Sequence, residues 1–147
     1  MIAVVQRVSS ASVTAPEANH RKDIESGLVV LLCVEQEDTS KDAAWMAAKI
    51  AKLRVFADDQ DRFHLSVQDV GGSVLLVSQF TLAGDCAKGN RPSFISAADP
   101  ERGRSLCDEV SHALSAEHEV PVEEGVFQAK MQVTLVNEGP ATFILRR

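Results

Sequence analysis

Valine-rich from Ile2 to Val13, with Ala and Ser interspersed, the chain opens on a pattern that predicts a strand. Pro16-Glu17-Ala18-Asn19-His20 then reads as a polar turn, and a second strand is expected to return through 22–26. Leu28-Val29-Val30-Leu31-Leu32-Cys33-Val34 is apolar without a break, the mark of a strand covered on both faces and so central in a sheet. Thr39 with Asp42 three positions on offers a helix cap, and Ala43, Met46, Ile50 and Leu53 follow at helical spacing. Residues 57–62 are polar loop. Gly71-Gly72 opens a further strand, Ser73 to Val77, expected to run on through Ser78-Gln79-Phe80-Thr81-Leu82 with alternating character. After a loop with Gly84 and Gly89, Asp99-Pro100-Glu101 supplies a cap, a first-turn proline and an acidic N-terminus. The buried stripe of that second helix is Leu106, Val110, Ala113 and Leu114. Met131 to Val136 and Thr142 to Leu145 read as two strands joined through Asn137-Glu138-Gly139-Pro140-Ala141.

No repeat or linker divides this pattern, and 147 residues suffice for one domain, 1–147, that buries roughly 70% of its unfolded surface without a staple. The hydrophobic share of 45% beside 24% charged residues is that of a compact soluble domain. Three cysteines, Cys33, Cys86 and Cys107, form no CxxC pair and fit reduced thiols. Gln6 and Arg7 interrupt any leader-like apolar core, and no run approaches membrane length, so a cytoplasmic protein with no membrane partner is expected. A net charge of −6 argues against a surface that clings to nucleic acid everywhere. A nucleic-acid partner would need a local basic patch, for which Lys88 with Arg91, Arg102 with Arg104, and Arg146-Arg147 are the candidates.

The side chains exclude several chemistries. His20, His64, His112 and His118 lie far apart with no Cys or carboxylate at ligand spacing, and the aspartates at 58, 59 and 61 lack the glycine and terminal glutamate of a calcium loop. No metal and no cofactor is expected. GxxxxGK[ST], GxGxxG after a strand, and GxSxG are all absent. Thr81 is a conceivable nucleophile but has no base in its own segment. What remains is backbone: N–H groups near Phe80 and Thr81 that could steady an oxyanion, and carbonyls at Gly139-Pro140 that could accept from an amine. Read alone, Gly139-Pro140 is a turn, and a glycine before a proline makes a cis bond accessible.

Three collinear segments change that reading: Ser78-Gln79-Phe80-Thr81-Leu82, Phe127-Gln128-Ala129-Lys130-Met131 and Asn137-Glu138-Gly139-Pro140-Ala141-Thr142. With Met1 to Val8, Ala11-Ser12-Val13, Gly27 to Val34, Gly71 to Val74 and Arg91-Pro92-Ser93-Phe94, they make the chain resemble the D-aminoacyl-tRNA deacylases nearly end to end. The resemblance implies an α+β single domain of curved, mostly antiparallel, barrel-like β-sheets with two main helices, forming a homodimer. It implies hydrolysis of the ester joining a D-amino acid, or glycine mischarged on tRNA(Ala), to the 3′-terminal adenosine of tRNA. Ser78 and Gln79 would contact the substrate and the N–H groups of Phe80 and Thr81 would hold the oxyanion. Phe127 and Met131 would line the adenine pocket, and Ala129 would be substrate-binding as well. Arg7 would hold the Gly139-Pro140 turn, lent to the partner's site as a cis-peptide wall that rejects L side chains, and Arg7 and Asn137 would count among the substrate-binding residues.

Three departures from the family pattern stand out. Gln128 occupies a place where glycine is usual, Glu138 and Ala141 replace the usual Asp and Val, and the glycine-bearing hairpin near 17–22 is missing. Two other readings stay open: a non-catalytic tRNA 3′-end binding module, and a hydrolase of small esters that depends on the Thr81 hydroxyl.

Overall fold

The computed structural model describes residues 1–147. Strand β1 (Ile2–Ala15) is the spine of a six-stranded sheet. Along one edge it pairs antiparallel with β3 (Gly27–Cys33) over its first half and with β2 (His20–Ile24) over its second. Along its other edge runs β8 (Gln132–Arg146), also antiparallel. Beyond β3 the order continues through β6 (Ser73–Ser78) to β7 (Val122–Glu124), both parallel. Parallel neighbours need crossovers, and the two helices supply them: α1 (Ser40–Lys52) lies between β3 and β6, and α2 (Pro100–His112) between β6 and β7. A two-stranded ribbon, β4 (Phe56–Ala57) with β5 (Phe63–Leu65), brackets the polar loop. The outcome is an α+β domain with a nearly closed, barrel-like sheet and two helices on one face. No helix is long and apolar enough to cross a membrane.

The uninterrupted apolar run of β3 places side chains in two cores at once. Leu28, Val30 and Leu32 pack with Val74 and Leu76 against Met46 and Ile50 of α1 and Leu106 and Val110 of α2. Val29 faces the other way, with Leu75 and Val77, into the hollow of the sheet, where Val8, Ala11 and Val13 of β1 meet Met131 and Leu135. Truncating a side chain as buried as Met46 removes about 2–5 kcal/mol of such packing. Both helices begin as their caps dictate. Thr39 donates its N–H and its hydroxyl to Asp42 at 2.9 and 2.7 Å, and Asp99 accepts from the N–H groups of Glu101 and Arg102.

Two strand boundaries differ from the pattern. The sixth strand does not run on to Leu82: it stops at Ser78, because the last rung on β3 is the Gln79 N–H to the Leu32 carbonyl at 2.7 Å. With no further partner, Phe80–Ala83 winds into a single 3-10 turn. The C-terminal strands are likewise not neighbours of each other. They lie end to end along β1 as one bulged strand, with Asn137 opposite Val8 and Thr142 opposite Gln6. Four residues, Glu138 to Ala141, therefore stand opposite Arg7 alone, and the excess is thrown outward as a loop.

Candidate active site

A cleft of about 600 Å³ opens where β6 ends, between that strand end and the start of α2. Ser78, Gln79 and Phe80 form one wall, and Phe127, Gln128, Ala129 and Met131 another, with Leu32, Val34 and Val77 among the apolar residues between them. Six of the residues expected at the site are thus brought together although they come from segments some fifty positions apart. Thr81 adjoins them, since the Gln79 carboxamide donates to its hydroxyl. Within the 3-10 turn the pairing begins with the Leu82 N–H on the Gln79 carbonyl, at 3.2 Å, which leaves the N–H groups of Phe80 and Thr81 for another acceptor. The Phe80 ring is exposed and meets Phe94 edge to face at 5.1 Å between centroids. Beneath the turn the Cys33 thiol lies 3.5 Å from the Phe80 carbonyl.

Sequence reasoning missed the floor of the cleft. Phe127 rests on α2 at Gly103, where even a methyl group would sit 3.4 Å from the ring, and the Arg104 guanidinium lies 4.8 Å from the ring centroid. Glycine inside an exposed-looking helix was the one available signal, because it lowers helix propensity without a turn to justify it. Cys107 also lines the cleft. Burial pushes its thiol up to about 12, so it is uncharged at neutral pH and no nucleophile. Burial likewise raises Cys33. The one carboxylate in the lining, Asp99, caps α2, and no histidine is present there. Nowhere do three or more His, Cys, Asp or Glu side chains converge as a metal site.

The remaining four expected residues form a second group. Arg7, only 9% exposed between the fully buried Val5 and Val8, sends Nε to the Glu138 carbonyl at 2.9 Å and Nη1 to the Val55 carbonyl at 2.6 Å. Its guanidinium also stacks on Phe63, 5.3 Å from the ring centroid. The Gly139-Pro140 bond is cis, both residues are exposed, and the Asn137 carboxamide lies against Gly139 where a side chain would collide with it. This loop does not line the cleft of its own chain. Arg7 is level with Leu28 and Ser78 with Leu32, four residues further on, so the two groups are offset by about 13 Å along the strands, with β3 and β1 between β6 and β8.

The family described as D-Tyr-tRNA(Tyr) deacylase matches residues 4–146. The chain belongs to that family. A D-aminoacyl-tRNA deacylase of Pelobacter propionicus is 56% identical over 147 residues, all of both chains. One of Geobacter sulfurreducens is 53% identical over 145 residues, covering 99% of this chain and 94% of the relative. Among solved structures, a c-Myc DNA unwinding element binding protein superposes with a TM-score of 0.90 at 38% identity, over 100% of this chain and 99% of the other. A probable eukaryotic D-amino acid tRNA deacylase superposes at 0.86 over 98% and 97%, and at 15% identity it shows the fold alone. Membership in the deacylase family makes the chain an enzyme, a hydrolase.

Proposed function

We propose that this deacylase hydrolyses the ester between a D-amino acid and the 3′-terminal adenosine of tRNA, in the cytoplasm, as a homodimer in which each chain completes its partner's cleft. The observation that carries the reading is the division of the site: a cleft with free N–H groups at Phe80 and Thr81, and a tethered Gly139-Pro140 loop that its own cleft does not use. Support for a second copy comes from β8, whose outer edge pairs with no strand and which exposes Val133, Val136 and Ile144.

In this reading the terminal adenosine lies against Phe127, Ala129 and Met131, with its ester at Ser78 and Gln79. Water attacks the ester carbon, and the charge that develops on the carbonyl oxygen is accepted by the N–H groups of Phe80 and Thr81, each such donor contributing about 10²–10³ in rate. The bond to the ribose oxygen then breaks, that oxygen takes the proton, and the free amino acid and tRNA leave. The lining offers no free base, so positioned main chain carries the catalysis. The partner's Gly139 and Pro140 carbonyls receive the substrate ammonium and leave room beside the α-carbon for hydrogen only. An L side chain collides, a D side chain points away, and glycine, including glycine on tRNA(Ala), passes.

Purified protein is tested on D-tyrosyl-tRNA and L-tyrosyl-tRNA in parallel. Release of D-tyrosine with L-tyrosyl-tRNA left intact is expected, and equal rates refute the chiral reading. Binding without turnover converts the assignment to a tRNA 3′-end binding module. The acidic balance of −6 weighs against duplex DNA as the ligand.

A further inference from the structure

Resting on that reading, we propose that Gln128 reads the base edge of the terminal adenosine. The apolar part of the cleft, with Phe127, Ala129 and Met131, stacks any purine alike, whereas a hydrogen-bonding side chain in the lining tells one base edge from another. The polar side chains there are Ser78, Gln79, Asp99 and Gln128. Asp99 caps α2 through Oδ1 and its carboxylate accepts only, the Gln79 carboxamide donates to Thr81, and Ser78 closes β6 on the wall assigned to the ester. Elimination leaves Gln128. Its side chain is exposed at the cleft between Phe127 and Ala129, whereas Gln36 and Gln68 donate theirs to backbone carbonyls within the chain.

A carboxamide donates and accepts side by side, which matches the N7 acceptor and N6 amino donor of adenine, whereas the same edge of guanine presents two acceptors. Gln128 has φ of 65°, a left-handed conformation that glycine adopts freely and glutamine at a penalty. In that conformation its side chain stands exposed on the cleft wall between Phe127 and Ala129.

The test is binding, measured by calorimetry, of 3′-deoxy-3′-(D-alanylamino)adenosine, in which an amide replaces the ester, and of its 7-deaza counterpart, which lacks the N7 acceptor. The wild-type protein is expected to bind the adenosine compound about tenfold more tightly than the 7-deaza compound. Gln128→Gly, which suits the backbone, and Gln128→Ala, which keeps its strain, are both expected to bind the two compounds alike. A wild-type protein that does not distinguish them, variants that still do, or no binding of either compound overturns the assignment. Hydrolysis of D-aminoacyl-tRNA is followed separately. Base discrimination without ester cleavage sinks the deacylase reading and spares Gln128, while cleavage without discrimination does the reverse.

Discussion

Replacing Arg7 by lysine separates the hold on the Glu138–Pro140 loop from the charge that provides it. The guanidinium reaches two carbonyls in different directions, Glu138 and Val55, and lies on the Phe63 ring. A lysine ammonium is a single point and satisfies one of the two carbonyls. Because the substitution keeps a buried cation, its desolvation is nearly unchanged and the difference is one charge-assisted hydrogen bond, about 1.5–3 kcal/mol, plus about 1 kcal/mol of ring contact. Arg7→Lys is therefore expected to lower the unfolding free energy by about 3 kcal/mol in a urea titration, and Tm by about 6–12 °C. If lysine keeps the buried Val55 carbonyl and lets Glu138 go, the loop loses about 2 kcal/mol of anchoring, roughly thirtyfold in an equilibrium. The preference for D- over L-tyrosyl-tRNA should fall by the same order. A variant destabilised as expected that rejects L-tyrosyl-tRNA undiminished would show that the guanidinium serves the sheet and not selectivity, and the reasoning would fail.

Three further outcomes are expected. Thr81→Ala should keep kcat within a few fold, because its hydroxyl is not the nucleophile, whereas Thr81→Pro, which deletes the N–H, should lower kcat about 10²–10³-fold; the opposite ranking would restore a side-chain mechanism. Gln128→Gly should stabilise the fold by about 1 kcal/mol by relieving the left-handed backbone, seen as a Tm gain of about 2–4 °C, and a loss of stability would contradict the strain. Asp69 is held below the ordinary aspartate range by hydrogen bonds from the hydroxyl and N–H of Ser66. A lowered folded value means a contribution that is complete above the unfolded value of 3.8 and is lost as the pH falls through the folded one. Melting profiles from pH 6 to pH 2.5 should thus fall less steeply at the acid end in Asp69→Asn than in the native chain, and parallel curves would refute it.

Elements whose cause is local were legible. The helix starts at Thr39 and Asp99 follow from caps, and the double burial of β3 follows from its unbroken apolar run. What ends β6 is instead the length of its neighbour, and alternating polarity through Leu82 carries no information about where β3 stops. The outward loop of β8 has the same origin. Its two halves look like a hairpin until β1 is known to be long enough to hold both. At the site, the segments around Phe80, Phe127 and Gly139 were recognisable as a set through family resemblance, but their grouping was not. The bond from Arg7 to Glu138 spans 131 positions, and the seat of Phe127 on Gly103 joins a turn to a helix. Periodicity describes which face a residue occupies and is silent on which distant face it meets.

The free margin of β8 has a practical corollary. A fifteen-residue strand whose outward-facing backbone donors and acceptors are unmatched, and which exposes the apolar side chains of Val133, Val136 and Ile144, is a template for runaway sheet extension. Variants or dilutions that leave this margin bare should reveal themselves first as light scattering and sedimenting material, while the helical circular dichroism signal is still intact. Charged substitutions at Val136 or Ile144 then become the natural means of keeping a single chain in solution.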